Sequence, residues 1–357
     1  MAIAYGLVRG GARVAVCDGD DTAFRAARGN FGLVWVQGKG GRCLPYAQWS
    51  LGSSERWAAF AAQLSHETGV DPGFERPGGL ELCETAAELQ AGRSLLESLR
   101  QREAGLGYEV LDNAALRRRV PAASPELAGA LYSRNDGHAS PLLTLRALHE
   151  AFQLRGGVYL PRHEVSEVRP LAGRFEVVTP GGTFEAGRVV LAAGLGNARL
   201  GPMVGLHAPI SPLRGQIMVT EKLAPFLDYP TLVVRQTREG TVMLGDSAEN
   251  TGLDDGTTRD VMADIARRAR TAFPMLAHAR IVRAWGALRI MTPDGLPVYE
   301  ESSRYPGAFI AICHSGVTLA AAHADTIAPW IAGGARPEVI EPFVTSRFNA
   351  AKEGRHV

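Results

Sequence analysis

The first 20 residues constrain the fold more than any other part of the chain, because they predict a helix, a stop and a strand in that order. Residues 2–8 have the apolar spacing of a short helix, which Gly10-Gly11 ends. Residues 13–17 then alternate as a strand does, and Asp18-Gly19-Asp20 ends them. This order is that of the second half of a βαβ dinucleotide-binding unit, in which an acidic residue after the strand binds a ribose. The alternative is that Asp18 is a solvated acid in a turn.

Composition excludes several classes of protein. The 38 Lys and Arg against 37 Asp and Glu give a net charge of +1, so the sequence predicts no nucleic-acid partner. The four cysteines include no Cys-x-x-Cys pair, which favours reduced thiols in a cytoplasmic protein. Arg9 and Arg13 interrupt the amino-terminal apolar residues, so no signal peptide is predicted. We also expect no transmembrane segment and, without a His-Glu-x-x-His motif, no metal site.

Two apolar runs end in glycine-containing turns. Residues 188–193 read as a buried parallel strand that leads into Gly194-Leu195-Gly196, which forms either a ligand loop or an ordinary turn. Residues 309–313 lead into His314-Ser315-Gly316 and then into a predicted helix over residues 317–331. Free N–H groups at such a turn suit a phosphate or an electron-rich ring edge. A nucleophile–base pair of Cys313 and His314 is disfavoured, because neighbouring side chains at a strand end point apart.

Arg289 lies within residues 285–291, an apolar run with the character of a strand. An arginine in such a run is costly unless its charge is paired. One interpretation is a bidentate clamp on a substrate carboxylate, and the other is a structural ion pair. The pattern alone leaves both open and slightly favours the ion pair.

The strand–turn–helix units lie at both ends and in the middle of the chain, and inserts separate them. Several strand-like runs over residues 210–246 predict an antiparallel sheet, and residues 54–68, 86–105 and 259–273 predict helices. The fold class is therefore α/β with two discontinuous domains. Residues 1–50, 140–208 and 285–357 form the predicted cofactor domain, and residues 51–139 and 209–284 the predicted substrate domain.

Together these segments resemble the D-amino-acid oxidase family of FAD-dependent oxidoreductases. The resemblance covers nearly the whole chain, and its clearest segments are residues 4–16, 27–33, 190–194, 285–297 and 314–320. More narrowly, residues 28–37 and 313–319 resemble a branch that contains opine oxidase small subunits, the C subunit of hydrogen cyanide synthase and the flavin subunit of D-hydroxyproline dehydrogenase. Members of that branch act beside a second flavoprotein subunit.

The resemblance implies a Rossmann-like FAD-binding domain and a substrate domain with a mainly antiparallel sheet and helices. It implies non-covalent FAD, because Ala287 lies near the place where sarcosine oxidases carry a flavin-linking cysteine. It implies that Arg289 holds the substrate carboxylate and His314 polarises the flavin edge, with His138 a weaker candidate for the pocket. The implied cofactor contacts are Asp18, Gly19, Ala27, Arg28, Asn30, Gly32, Leu33, Val165, Gly194, Ser315, Gly316, Val317, Thr318 and Leu319.

One departure from the family concerns the amino terminus. The family's opening strand and its Gly-x-Gly-x-x-Gly turn, which holds the FAD pyrophosphate, do not precede residue 2. The FAD-binding domain is therefore expected to be incomplete at this end. We expect a start codon assigned too late by about a dozen residues or more, the length of a strand and a βα turn. A degenerate subunit is the other explanation.

The expected activity is oxidation of a C–N bond by hydride transfer to flavin N5. The substrate class is an amino acid or N-substituted amino acid, of the D-amino acid, D-hydroxyproline or opine type. A second flavoprotein subunit or a respiratory carrier is the expected electron acceptor, and a partner could place the protein at a membrane surface. The alternative is a non-catalytic, FAD-deficient subunit of a heteromeric dehydrogenase.

Overall fold

A computed structural model describes residues 1–20, 25–102 and 105–348. The helices are α1 (Ala2–Arg9), α2 (Leu44–Thr68), α3 (Ala86–Gln101), α4 (Asn113–Arg119), α5 (Pro141–Leu154), α6 (Asn197–Leu200), α7 (Arg259–Ala272), α8 (Ala320–Ala322) and α9 (Ala328–Ile331). The first strands are β1 (Ala15–Cys17), β2 (Leu33–Val34), β3 (Gly79–Cys83), β4 (Tyr108–Asp112), β5 (Gly129–Ser133), β6 (Gly137–His138), β7 (Val158–Leu160), β8 (Glu167–Leu171) and β9 (Arg174–Thr179). The remaining strands are β10 (Gly182–Ala186), β11 (Val189–Leu191), β12 (Ser211–Lys222), β13 (Val234–Gln236), β14 (Thr241–Leu244), β15 (Ile281–Met291), β16 (Val298–Glu301) and β17 (Ala308–Ile312).

Parallel strands occur where the sequence predicts them, and the α/β fold class is confirmed. The strand after the first helix, β1, pairs in parallel with β7, and β11 pairs in parallel with β17. Strand β17 also pairs with β16 in the antiparallel direction. Among the described residues β1 has no strand partner except β7, and β11 has none except β17, so the two parallel pairs are not joined into one sheet.

Helix α1 packs closely against the helical segment near the carboxyl end. A Cβ atom on Gly6 would lie 2.3 Å from the carbonyl oxygen of Ala324 and 2.6 Å from Cβ of Ala328. Only a glycine allows the two segments to approach to this distance. The apolar side chains Ile3 and Leu7 of α1 belong to the same buried cluster as α9.

The largest antiparallel sheet has the strand order β13-β14-β12-β15. Its register pairs Val219 with Met243, Met243 with Arg235 and Ile217 with Trp285, all odd-numbered positions. Because paired residues share a face and successive residues alternate, odd and even positions lie on opposite faces. The even face contributes Met218, Val234, Val242 and Leu244 to a core shared with α7. The odd face carries Ile217, Arg235, Met243, Trp285 and Arg289.

Two helix boundaries differ from the sequence predictions. Helix α2 begins at Leu44 rather than at Ser54, because Pro45 is tolerated in a first helical turn, where its missing N–H would have no partner. The helix predicted over residues 317–331 begins only at α8, and residues His323–Ile327 form a π-helical turn before α9. The remaining long helices lie within a few residues of their predicted positions. The two-domain division stays a prediction.

None of the helices in the described part of the chain combines the length and the apolar character that crossing a bilayer requires.

Candidate functional site

Asp18 lies directly after β1, as the sequence predicts. Its carboxylate accepts a hydrogen bond from Nη1 of Arg25 at 2.7 Å. The neighbouring Gly19 packs against Glu164, since a Cβ on that glycine would lie 2.9 Å from Cβ of Glu164. Val165 follows Glu164 just before β8. Asp18, Gly19 and Val165, three predicted cofactor contacts, therefore share one region at the end of the β1–β7 pair.

The predicted loop over residues 27–33 reaches the odd face of the large sheet. Ala27 and Arg28 lie in a turn at its start, where the Arg28 amide donates to the carbonyl of Arg25 at 2.9 Å. The indole of Trp285 donates to the carbonyl of Gly29 at 3.1 Å. The loop and strand β15 are therefore held together at this point.

Asn30 and Gly32 shape the next turn of this loop. The side-chain oxygen of Asn30 accepts a hydrogen bond from the Gly32 amide at 2.8 Å. Gly32 has φ +92°, and a Cβ there would lie 2.4 Å from the Ala139 carbonyl oxygen, so no larger residue is accommodated. Leu33 follows in β2 and pairs with His138 in β6.

The loop of residues 315–319 presents free backbone donors to open space. Its ends are closed by a hydrogen bond from the Leu319 amide to the Ser315 carbonyl at 3.0 Å. Within the described parts of the chain, no acceptor is found for the amides of Gly316 and Val317. Gly316 is exposed, and a Cβ on it would meet no atom within 4 Å. The loop can therefore donate to the edge of a ligand.

Thr318 joins this loop to the one that contains Leu33. Its hydroxyl accepts from the Trp35 amide at 3.1 Å and donates to the Leu33 carbonyl at 3.3 Å. Two predicted cofactor loops that are far apart in sequence therefore lie side by side. Leu319, the last predicted contact in the loop, is fully buried and packs into the core.

Lys39 is a functional candidate that the sequence did not single out. Its ammonium donates to the hydroxyls of Ser315 at 2.9 Å and Thr318 at 3.2 Å, and Tyr46 also hydrogen-bonds Ser315 at 2.9 Å. Burial lowers the pKa of Lys39 to about 8, while the nearby Asp136 carboxyl acts in the opposite direction. Because its only described hydrogen-bond acceptors are hydroxyls, its charge is not matched by a carboxylate in contact.

His314 lies close to Lys39, since both contact the hydroxyl of Ser315. Its Nε2 is 3.3 Å from the hydroxyl of Ser315. Burial, together with the charges of Lys39 and Arg289, lowers the pKa of His314 to about 4. The imidazole is therefore neutral at pH 7. Lys39 and Arg289 are therefore both near enough to the His314 ring to oppose its protonation.

Arg289 lies on the odd face of β15 and is about one-quarter exposed, at 26%. It donates to a carboxylate oxygen of Asp246 at 2.5 Å and to the Ser247 carbonyl at 2.7 Å. The structure thus shows the ion pair that the sequence allowed, and it leaves part of the guanidinium open to a ligand. The predicted contact Gly194, with φ +59°, lies beside Ile290, the residue after Arg289. A Cβ on Gly194 would be 3.5 Å from a side-chain carbon of Ile290.

His138 is buried and has both ring nitrogens engaged. Arg235 donates to its Nδ1 at 3.1 Å, and since arginine can only donate, that nitrogen carries the lone pair. The proton therefore resides on Nε2, which lies 3.3 Å from the carboxylate of Glu75. Burial first, and then the charges of Arg235 and Arg238, lower the pKa of His138 to about 3. This histidine is a neutral neighbour of Arg235 rather than a free base.

Arg235 and Asp136 are two buried charged residues that sequence reasoning missed. Asp136 is fully buried, and one of its oxygens accepts from the amides of Val36 at 2.5 Å and Gln37 at 3.2 Å. The other oxygen has no partner among the described residues, and burial raises the pKa of Asp136 to about 7. In the sequence, Asp136 precedes Gly137, a pair that indicates only a turn. Arg235 lies within residues 210–246, where the sequence predicts strands but not which face of each strand is buried.

Residues 1–330 match the family DAO, FAD dependent oxidoreductase. An opine oxidase subunit from Agrobacterium tumefaciens (strain Ach5) is 41% identical over 351 residues, which are 98% of this chain and 95% of that protein. Glycine oxidase of Geobacillus kaustophilus (strain HTA426) is 26% identical over 328 residues, or 89% of this chain and 86% of that one. Hydrogen cyanide synthase subunit HcnC of Pseudomonas aeruginosa is 26% identical over 308 residues, covering 84% of this chain and 73% of that one.

Solved structures have the same fold. The crystal structure of glycine oxidase from Geobacillus kaustophilus superposes with a TM-score of 0.91 at 25% identity, over 96% of this chain and 94% of that one. L-proline dehydrogenase from P. horikoshii gives a TM-score of 0.86 at 20% identity, over 98% and 95% of the two chains, and shows the fold alone.

Proposed function

The chain belongs to the DAO family of FAD dependent oxidoreductases, and we propose that it oxidises a C–N bond of an amino acid or an N-substituted amino acid. Relatives along nearly the whole chain are named opine oxidase and glycine oxidase, which supports this substrate class. The observation that carries the proposal is Arg289, a partly exposed guanidinium on the sheet face where Trp285 of the same strand holds the predicted flavin loop at Gly29. A partly exposed guanidinium beside such a loop suits a carboxylate, which it can bind through two parallel hydrogen bonds.

The residues present suit FAD at two places. The free amides of Gly316 and Val317 suit the polar edge of an isoalloxazine ring, and open space lies in front of them. Asp18 at the end of β1 suits a ribose hydroxyl, because among the described residues only one of its two oxygens accepts hydrogen bonds, from Arg25 and from the Asp20 amide. Ala287, next to the site in β15, offers no thiol, so we propose non-covalent binding. When bound, FAD supplies the hydride acceptor at N5.

The proposed role of Arg289 is to hold the substrate carboxylate and so to fix the position of the Cα–H bond. Correct orientation of two reactants contributes more to rate than a general base would in such a step. The apolar side chains Phe31, Ile217 and Met243 form a cluster on the same sheet face and exclude water from it. His314 stays neutral and adds no charge that would compete for the carboxylate. The substrate amine must enter uncharged, and the imine product is hydrolysed in water.

A non-catalytic, FAD-deficient subunit is not favoured. Such a subunit would have no need for a partly exposed arginine, free amides and open space in one place. The match to the oxidoreductase family also extends over residues 1–330, which include all of these features.

Flavin content and anaerobic reduction test the proposal. The purified chain, reconstituted with FAD, is expected to be yellow, and anaerobic addition of D-proline, glycine or an N-carboxyalkyl amino acid should bleach the flavin absorbance. Arg289→Met should stay yellow and bleach only at much higher substrate concentration. A wild-type protein that binds no FAD, or one that no amine in this panel bleaches, would refute the proposed function.

We further infer that a second subunit works beside this chain. Two of the relatives, from opine oxidase and from hydrogen cyanide synthase, are named as subunits of those enzymes. A tagged chain expressed with the neighbouring genes of its operon should co-purify with one other product at a fixed ratio. Reduction of an artificial dye faster than consumption of oxygen would place the electron acceptor in that assembly. A monomeric, oxygen-consuming oxidase would contradict this inference.

A further inference from the structure

Arg235 is a buried cation without an anion in contact. Its side chain is on the odd face of β13 and the residue is only 3% exposed. One guanidinium nitrogen donates to neutral His138, and another lies 2.7 Å from the sulfur of Met243. Its Nε has no partner among the described residues. The described residues also place no carboxylate within salt-bridge distance of this guanidinium.

Such an arrangement is costly for a structural residue. Moving a charge out of water costs on the order of several kcal/mol, and a nearby opposite charge in good geometry normally offsets this cost. Burial lowers the pKa of Arg235 to about 10, although the more distant Glu239 and Glu75 act against it. The guanidinium is therefore still charged at pH 7. A charge held at this cost is expected to meet an anion during the working cycle of the protein.

The surroundings of Arg235 place it beside the predicted flavin loop. A Cβ on Gly32 would lie 3.1 Å from a guanidinium nitrogen of Arg235, and the ring of Phe31 lies 6.0 Å from its central carbon. Phe31 and Gly32 belong to the loop that also holds Leu33 against Thr318. Arg235 also shares its sheet face with Arg289 and Met243. It therefore lies on the sheet face that carries Arg289, and not on the face that packs against α7.

We propose that Arg235 is the cation that stabilises the reduced, anionic form of the bound FAD. The inference rests on the proposed function. In that reaction a hydride, one proton with two electrons, leaves Cα of the substrate as the C=N bond forms. Its addition to neutral oxidised flavin gives a reduced ring with one negative charge, and no further proton is required. A cation already fixed in a poorly solvated site stabilises that charge without reorganising at the moment of transfer.

His138 is the positioning residue in this scheme. As a neutral imidazole whose Nε2 lies 3.3 Å from the Glu75 carboxylate, it offers Arg235 a lone pair and no charge. A carboxylate in the same position would neutralise the guanidinium before the flavin could use it. The pair explains why a histidine with no free nitrogen is buried at this site.

The two-electron midpoint potential of the bound flavin tests the proposal. The variants are Arg235→Met, Arg235→Lys and, as a matched control, Arg238→Met, which removes an exposed arginine paired with Asp71 and Glu75. A tenfold weaker preference for the reduced form corresponds to about 30 mV for a two-electron couple. We expect Arg235→Met to lower the midpoint potential by at least about 30 mV. Arg235→Lys keeps a positive charge, so its potential should stay close to that of the wild type. Arg238→Met should leave the potential unchanged.

The pH dependence of the potential gives a second readout that a structural role would not move. A plot of the potential against pH has a shallow slope where the reduced flavin is anionic and a steeper slope where it takes up a second proton. Without the cation the anionic ring is protonated more easily, so the break between the two slopes should move to higher pH in Arg235→Met. Equal potentials and equal breaks in Arg235→Met and Arg238→Met would overturn the proposal. So would loss of FAD from both Arg235→Met and Arg235→Lys in folded protein, which would assign Arg235 a structural role. Absence of FAD from the wild-type protein would instead refute the proposed function itself.

Discussion

The carboxylate of Asp246 lies 2.5 Å from the guanidinium of Arg289, so an acid of the protein occupies part of the surface that a substrate acid would bind. Asp246 is 52% exposed, and an ion pair open to water on that scale contributes little free energy. If Arg289 binds the substrate carboxylate as proposed, that carboxylate can replace Asp246 without a large penalty. In this proposal Asp246 competes with the substrate for Arg289.

Arg289→Met is expected to raise the KM for amino-acid substrates by about 100-fold, the loss of a charged bidentate bond worth about 3 kcal/mol. The flavin spectrum and the thermal midpoint should change little, because β15 keeps its backbone pairing. Steady-state kinetics with a dye acceptor measure both KM and kcat. Unchanged kinetics would remove Arg289 from the substrate site.

Asp246→Asn is the companion variant and should have the opposite effect. Removing the competing charge frees Arg289, so the KM is expected to fall by about threefold, in keeping with an exposed pair worth about 0.2–1 kcal/mol. The same assay measures it. A KM that rises as steeply as in Arg289→Met would show that Asp246 is required for binding and does not compete.

Asp136→Asn tests the charge state of a fully buried carboxyl. The pKa of Asp136 is raised to about 7, so the folded state binds more protons than the unfolded state between about pH 4 and 7. Wild-type stability therefore falls as the pH rises through this window. Asparagine mimics the protonated form, so the stability of Asp136→Asn relative to wild type should increase by at least about 2 kcal/mol from pH 4 to pH 8. Urea unfolding at several pH values measures this difference.

Asp136→Ala is the control for that experiment. It removes the acceptor of the Val36 and Gln37 amides, which leaves two buried donors unpaired. Each such donor costs about 1–3 kcal/mol. A loss of stability at every pH is therefore expected for alanine but not for asparagine, and equal losses in both variants would mean that the carboxyl is ionised in the folded state.

Local patterns were sufficient to predict which candidate residues follow strand ends. Asp18 comes after β1, and Ser315 after β17, and in both cases an apolar run and a glycine identify the turn without reference to the rest of the chain. Arg289 stood out because a charge in an apolar run needs a partner. Its partner Asp246 could not be identified, since the two residues are brought together by the pairing of β12 with β14 and β15.

The buried charges were missed for the same physical reason. Arg235 lies in a short strand whose inward face depends on the register of three neighbouring strands, and a shift of one residue would turn it to the opposite face. Lys39 follows Gly38 in a glycine-rich segment whose pattern does not indicate burial, yet its ammonium donates to Ser315 and Thr318 from the far end of the chain. Contacts across such sequence separations leave no local signature.

Lys39→Met should alter the dependence of stability on pH. The pKa of Lys39 is lowered to about 8 in the folded state, so between about pH 8 and 10.5 the unfolded chain binds more protons. The wild-type free energy of unfolding should therefore increase with pH across this window, by at most about 1.4 kcal/mol per pH unit. Below about pH 8 the buried ammonium is charged and its full destabilising effect is present. The difference in unfolding free energy between Lys39→Met and wild type, measured at pH 7.5 and 9.5, should shrink accordingly. A constant difference would show that the ammonium is not desolvated.

Gly6→Ala tests whether α1 must touch the carboxyl-terminal helical segment for the site to form. An added Cβ would lie 2.3 Å from the Ala324 carbonyl oxygen and 2.6 Å from Cβ of Ala328, so the two segments must separate. Overpacking of this kind costs about 1–3 kcal/mol, and the displaced segment directly follows the loop of residues 315–319. We expect a lower thermal midpoint and weaker FAD binding. The matched control is Gly10→Ala at the end of the same helix, where the nearest atom would be 3.4 Å away and φ is −79°. Equal stability and equal FAD affinity in the two variants would mean that α1 is free to shift, and that the close approach at Gly6 does not support the site.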